Sequence, residues 1–446
     1  MSAKKPKNPH SEPGERILAE GYIVSNDTTV TDLNNNDLII GPSGAGKTMG
    51  YVKPNIRKLI DDNLPISMIV ADTKSSLFNE LKDELESSGF DARKIDFVKP
   101  EETTATYNPL KYIGRDKDGQ FRQQDIMTVA YALLPPGRDE DSFWVDSARN
   151  VLVCLISFLL EAFPDDNPNL SKVAALYDLM RYQIARQRGK PKITVPFLED
   201  WAHENQDSFA VKKYRMFSDV ICSDKTWGSI MMFLTNALSP FEFREAENLF
   251  MKPGDFKIEQ LGSKKTVLFL NISDSDRTFD HLINLFYTQA LQALMKKADE
   301  QEYNRLEVPV RIILDDFAAN AVIPDFDKTI SVSIILQSLT QLQSMYSHSK
   351  AMTIVNNCDH VIYLGGSDEE TARFISLKAD KSVQTILNLP LDKVWILERG
   401  KKGVLRYKYS KSPESDKQEN PVTEKAPAAK KASAGKKSPA GKSSKK

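Results

Sequence analysis

Apolar residues follow two rhythms along this chain. Short unbroken runs at residues 38–40, 66–71, 266–272, 310–314, 332–336, 361–364 and 394–397 are dominated by Ile, Val and Leu. Runs of that length, continuous rather than alternating, suit strands of a parallel sheet covered on both faces. Between about residues 110 and 255 the rhythm becomes helical. Trp144, Ala148, Val151, Leu152, Leu155 and Leu159 fall on one helix face, and Ser171 is placed to cap a helix over 173–184. A further helix carries Trp227, Ile230, Phe233, Leu234 and Leu238 and stops before Pro240. The expected class is therefore α/β, a mostly parallel sheet interrupted by an all-helical insertion.

This pattern divides the chain. Residues 37–109 and 256–410 read as one α/β domain, and 110–255 as an inserted all-α domain. Residues 1–36 read as an N-terminal extension, polar, Asn-rich and without a buried-core pattern. Residues 411–446 hold ten lysines against Glu414, Asp416, Glu419 and Glu424, with too little apolar surface to order themselves. The formal net charge of −1 therefore hides a mildly acidic body and a basic tail, suited either to solubility or to weak contact with nucleic acid or anionic lipid.

With 446 residues, 41% of them hydrophobic, the chain can bury a substantial core. The longest apolar stretch, 151–160, broken only by Ser157, is closed by Glu161, short of the roughly 18 residues of a membrane span. Lys4, Lys5 and Lys7 precede no apolar segment, so the start does not read as a secretory signal. Cys154, Cys222 and Cys358 are too scattered for a disulfide framework, and Cys358 with His360 lacks the second pair that a metal site needs. A cytoplasmic location is expected.

The chemistry concentrates in Gly41-Pro42-Ser43-Gly44-Ala45-Gly46-Lys47-Thr48, which directly follows the run 38–40. Glycines let such a loop turn its N–H groups toward phosphates, and the following helix offers them its positive end. Lys47 would reach the β- and γ-phosphates, and the Thr48 hydroxyl would ligate Mg²⁺. Nucleotide phosphate binding follows. Such a loop needs an acidic partner on a neighbouring strand, and the run 310–314 ends in Asp315 and Asp316. Asp315 is placed to hold Mg²⁺ and Asp316 to orient or deprotonate the attacking water. Gln337, after the run 332–336, could sense the γ-phosphate or position water; Asp72 and Lys74, after 66–71, serve either the site or an ordinary loop.

The sequence resembles the TraG-type coupling proteins of conjugation and type IV secretion, relatives of DNA-pumping hexameric ATPases. The likeness runs from about residue 38 to 378. The phosphate loop continues into Gly50-Tyr51-Val52-Lys53-Pro54-Asn55, and Tyr107-Asn108-Pro109-Leu110 and Asp274-Ser275-Asp276-Arg277 leading to Phe286-Tyr287-Thr288-Gln289 follow. Then come Leu314-Asp315-Asp316-Phe317-Ala318, Ile335-Leu336-Gln337-Ser338-Leu339-Thr340-Gln341-Leu342, and Asn357-Cys358-Asp359 before Leu364-Gly365-Gly366. The resemblance implies a RecA-like nucleotide domain with an all-helical insertion, a homo-hexamer, and ATP hydrolysis with Mg²⁺. It also implies delivery of relaxase-bound single-stranded DNA or effector proteins to the channel. On it, Lys47 and Thr48 stand at the nucleotide, Asp315 at Mg²⁺, Gln337 as the polar residue beyond a core strand, and 110–255 as the substrate-receiving part. Two departures stand out. Asp315-Asp316 replaces the usual Asp-Glu, and the family's N-terminal membrane helices are not seen, so that either the chain is a soluble variant or the anchor lies on another protein, a membrane-anchored partner that holds it at the inner face of the cell membrane. Arg277 and Arg373 are candidates for an arginine finger or for plain surface ion pairs. An ATP-driven translocase is the expected function; a nucleotide-gated substrate receptor with little turnover is the alternative.

Overall fold

Each of the seven apolar runs forms a strand of one sheet. The structure is a computed structural model that describes residues 13–73, 75–136, 141–190, 192–251, 256–273, 276–315 and 330–410. Its strands are β1 (Glu15–Ala19), β2 (Tyr22–Ser25), β3 (Asp37–Ile40), β4 (Ser67–Ala71), β5 (Asp91–Asp96), β6 (Thr266–Asn271), β7 (Val310–Leu314), β8 (Ile330–Leu336), β9 (His360–Tyr363), β10 (Lys393–Glu398) and β11 (Val404–Tyr407). Among the described residues the main sheet has nine strands in the order β11-β10-β9-β3-β8-β7-β4-β6-β5. From β9 to β5 all pairings are parallel, whereas β10 runs antiparallel to both β9 and β11. This is the expected mostly parallel α/β sheet.

Continuous apolar strands are explained by their two buried faces. Leu38, Ile40, Ile69, Leu268, Leu270, Ile312, Leu314, Ile334 and Leu336 enter one core. Their neighbours Ile39, Val70, Phe269, Ile313, Ile335 and Ile362 enter the other, with helices α1 (Lys53–Asp61) and α2 (Ser76–Ser87). Full burial of each such side chain stabilises the fold by about 1.5–3 kcal/mol. The first core continues without a break into α3 (Gln123–Leu133), α4 (Ser142–Ala162), α5 (Leu170–Ala185), α6 (Phe209–Phe217) and α7 (Asp224–Leu238), and into α8 (Asp280–Asp299).

Several expectations change. Residues 15–25 carry a buried pattern after all: β1 and β2 pair as a hairpin, and Arg16, Ile17, Leu18 and Ala19 are buried. Asn169, not Ser171, caps α5, its side chain accepting from the Lys172 N–H. Helix α4 does have the length and mean hydropathy, 1.6, of a membrane span. A count of uninterrupted apolar residues misses this because Asp146 and Arg149 break the run. Yet 72% of that window is buried inside the fold, against α3, α5, α6 and α7. The edge strand β5, Asp-Ala-Arg-Lys-Ile-Asp, gave no apolar signal. It holds because Lys94 and Asp96 pair at 3.0 Å and the loop at 103–105 covers its open edge through bonds to Lys94 and Asp96.

Candidate functional site

Strand β3 ends at Ile40, and the chain turns while still tied to its neighbours: Gly41 N donates to Leu336 O, and Leu364 N donates to Ile40 O. Gly44 and Gly46 have φ of 78° and 89°, a region that side-chain-bearing residues rarely adopt. A Cβ at either would meet nothing within 4 Å, so the demand is conformational and the inside of the loop stays open. Thr48–Val52 forms one π-helical turn that runs into α1. Lys47 Nζ donates to the carbonyls of Gly41 (2.8 Å) and Pro42 (3.2 Å), which holds its ammonium over the loop.

Sequence reasoning put the acidic strand beside β3. Instead β8 lies between them. The register Ile40↔Leu336 on one side and Leu314↔Ile334 on the other sets Gln337 between the loop and Asp315. Across that gap Thr48 Oγ1 lies 3.5 Å from Asp315 Oδ2. A hydroxyl and a carboxylate oxygen at the carboxyl ends of parallel strands form the oxygen donor set that a hard divalent cation takes. Tyr287 on α8 is buried; burial first, and then the Asp315 charge, raises its pKa above the ordinary phenol value, so it stays a neutral hydroxyl near that carboxylate. Gln337 itself is exposed, and its N–H donates to Gln341 Oε1.

Other candidates have different fates. Asp72 is buried and accepts from the N–H groups of Ser76, Leu77 and Phe78, so it fastens the start of α2. Arg277 pairs with Asp280 (2.9 Å) and Arg373 with Glu369 (2.5 Å) on the surface. Cys358 is buried with Sγ toward Ile354 O. Asp316, Lys74, Asp274, Ser275 and the tail 411–446 lie outside the described residues.

No motif in the sequence announces the buried polar hub at the opposite ends of the same strands. Asp37 is fully buried and receives Arg16 Nε (2.9 Å), Arg311 Nη1 (3.1 Å) and Tyr51 Oη (2.5 Å). Tyr51 and Arg311 also meet Ser333 Oγ at 2.7 and 2.9 Å. His360 Nδ1 lies 3.0 Å from Arg16 Nη2 and 3.3 Å from Asp37 Oδ1. Burial works to raise the Asp37 pKa, but Arg16, His360 and Arg311 overcome it and hold the carboxyl well below the usual range. The hub ties β1, β3, β7, β8 and β9 to the turn after the phosphate loop. Its signal in the sequence was Arg311, a charge inside an otherwise apolar strand, which demands a buried partner.

A cleft of about 890 Å³ lies away from the loop in the helical region, lined by Arg115 and Arg122 but also by Asp116, Glu161, Glu204 and Asp207. Its acid excess makes it a poor track for a phosphate backbone.

The family described as Type IV secretory system Conjugative DNA transfer matches residues 12–382. Curated proteins yield no match. Among solved structures, the bacterial conjugative coupling protein TrwBdeltaN70 in its unbound monoclinic form is 16% identical, with 90% of each chain covered and a TM-score of 0.60. The plasmid coupling protein TrwB in complex with ADP and Mg²⁺ is likewise 16% identical, over 90% of this chain and 91% of that one, with a TM-score of 0.60. VirB4 of Thermoanaerobacter pseudethanolicus is 13% identical over 91% of this chain and 99% of that one, with a TM-score of 0.51. At these identities the likenesses establish the RecA-like fold.

Proposed function

Because this chain belongs to the Type IV secretory system Conjugative DNA transfer family, we propose that it is a coupling ATPase that recruits substrate and drives it into the channel by hydrolysing ATP. One observation carries this: a complete phosphate loop whose Thr48 hydroxyl stands 3.5 Å from Asp315, with Gln337 emerging between the two strands. The donor set suits Mg²⁺, and TrwB of the same fold is known with ADP and Mg²⁺. In this reading Lys47 leaves the Gly41 and Pro42 carbonyls to pair with the β- and γ-phosphates. Thr48 and Asp315 would hold Mg²⁺, which neutralises charge on the phosphates. Gln337 orients the attacking water, and Asp316 takes its proton. The oxygen of that water bonds to the γ-phosphorus, the bond to the bridging oxygen breaks, and ADP leaves with the electron pair.

The helical segment 110–255 is assigned to substrate reception, the substrate being single-stranded DNA, a relaxase or an effector protein. A homo-hexamer is the working form, docked to channel components at the inner face of the membrane through a membrane-anchored partner. Steady-state ATP turnover of the purified chain, with and without single-stranded DNA, tests the reading. Turnover that rises with DNA is expected; no turnover under either condition would refute the motor.

A further inference from the structure

A nucleotide held by this loop must send its ribose and base somewhere, and the sheet order says where. Gln337 and Asp315 lie on the β8–β7 side of β3, so the γ-phosphate end belongs there. The α-phosphate, ribose and base then leave toward the other side, over the first turn after Thr48, where β9, β10 and β11 stand. On that side the chain leaving β11 returns to the loop. Lys408 Nζ donates to Ala45 O at 2.9 Å, and Lys408 N is pinned to Asp392 O at 2.8 Å. The Tyr409 carbonyl oxygen lies 3.8 Å from where a Cβ on Gly50 would stand, with nothing else within 4 Å of that point. Against the loop, Gly366 presents no side chain, a Cβ there lying 3.7 Å from both Pro42 Cδ and Tyr363 Oη. The half-buried Lys408 is thus a cation stretched across the rim of the loop, just beyond β11 and remote in sequence from every phosphate motif. Partial burial lowers its pKa from the ordinary lysine value, so it gains from a polar or anionic partner.

We propose that Lys408, with the backbone of Tyr409, forms the ribose and base wall of the nucleotide site, the lysine stem covering the base and its ammonium bridging the Ala45 carbonyl and the ribose. This rests on the phosphate loop binding nucleotide as proposed above. It makes the segment just after β11 part of the site, although that segment lies beyond the span 12–382 matched by the family. Gly50, lacking a side chain, lets the Tyr409 carbonyl approach the first turn after the loop, a Cβ there lying 3.8 Å from it. Such a wall recognises the nucleoside and not the phosphates, and that difference is measurable.

Binding of Mg-ATP and of magnesium tripolyphosphate to the full chain should be compared by calorimetry for the unaltered protein and for Lys408→Ala, Lys408→Met, Gly50→Leu and Lys47→Ala. Lys408→Ala should weaken ATP about tenfold, on the order of one lost polar contact, and leave tripolyphosphate within about twofold. Lys408→Met, which keeps the stem, should lose less. Gly50→Leu puts a good helix former where the Tyr409 carbonyl approaches that turn, so it should displace the Tyr409 backbone and weaken ATP while sparing tripolyphosphate, an independent check should Lys408 variants fold poorly. Equal losses for both ligands on Lys408→Ala would mean that the lysine only props the loop, and unchanged binding of both would mean that it does nothing; either overturns the wall. Lys47→Ala must weaken both ligands, and if it weakens neither, the phosphate-loop reading itself has failed.

Discussion

Neutralising Asp37 isolates what the buried hub contributes. Asp37→Asn keeps the shape but leaves Arg16 and Arg311, each nearly inaccessible to solvent, without their anion. Breaking a buried pair by removing one partner costs about 3–5 kcal/mol, and here one carboxylate serves two guanidiniums at 2.9 and 3.1 Å. With an unfolding entropy of about 2.1 cal/mol/K per residue and about 400 folded residues, 3–5 kcal/mol lowers Tm by about 4–6 °C. Arg311→Met should cost less, because Arg16 still pairs with Asp37. The pH dependence fixes the cause. A carboxyl whose folded pKa is depressed gives stability that is fully present above its unfolded pKa, about 3.9, and is lost as pH falls toward the folded value. The gap between the unaltered protein and Asp37→Asn should therefore be level above about pH 5 and close below about pH 4. Scanning calorimetry across pH measures it. A Tm loss under about 1 °C, or a gap that widens in acid, would refute an electrostatic hub.

Lys47→Ala should abolish ATP turnover while leaving Tm nearly unchanged, since glycines and not the lysine set the backbone of the loop; unchanged turnover would remove the phosphate-loop assignment. Asp316→Asn should keep ATP binding and slow hydrolysis by about 10²- to 10⁴-fold, as loss of a general base does; if Asp315→Asn is harmful and Asp316→Asn is not, Gln337 positions the water. Removing 425–446, where lysines alternate with small residues and no acid, should spare ATPase activity and weaken only salt-sensitive binding to nucleic acid or anionic vesicles. Expressed alone, the chain should fractionate away from membranes and join them only beside its secretion partners; salt-resistant association of the lone chain would contradict the proposed docking.

Apolar runs were legible because a strand buried on both faces needs apolar side chains at every position, as Leu38, Ile39 and Ile40 show. Strands that escape that rule escaped notice. β5 stands at an edge, and its Lys94 and Asp96 satisfy each other; β1 is short and interrupted by Arg16, whose partner is 21 positions away. β11, Val-Leu-Arg-Tyr, is an exposed edge with half-buried side chains. The phosphate loop was readable in full since its conformation demands glycine at fixed spacing. Its long-range companions were not. Asp315 reads from the sequence only as an acid at a strand end; that β8 intervenes between it and the loop is a matter of topology. Asp72 read as a possible site residue because a helix cap and a catalytic carboxylate look alike in sequence until the three N–H groups it accepts are seen.

Helix α4 sets a problem of timing during synthesis. By length and hydropathy it passes for a membrane span, and its covers α6 and α7 are encoded downstream, the last ending at Leu238. At about 5–20 residues per second, the ribosome takes roughly 4–15 s to make those covering residues. For that interval the nascent chain carries an apolar helix without two of the helices that cover it in the fold. Asp146 and Arg149 sit in its first half, where charge raises the cost of entering a bilayer. The arginine that later caps Leu134 through two hydrogen bonds thus also raises the cost of bilayer entry before the fold exists.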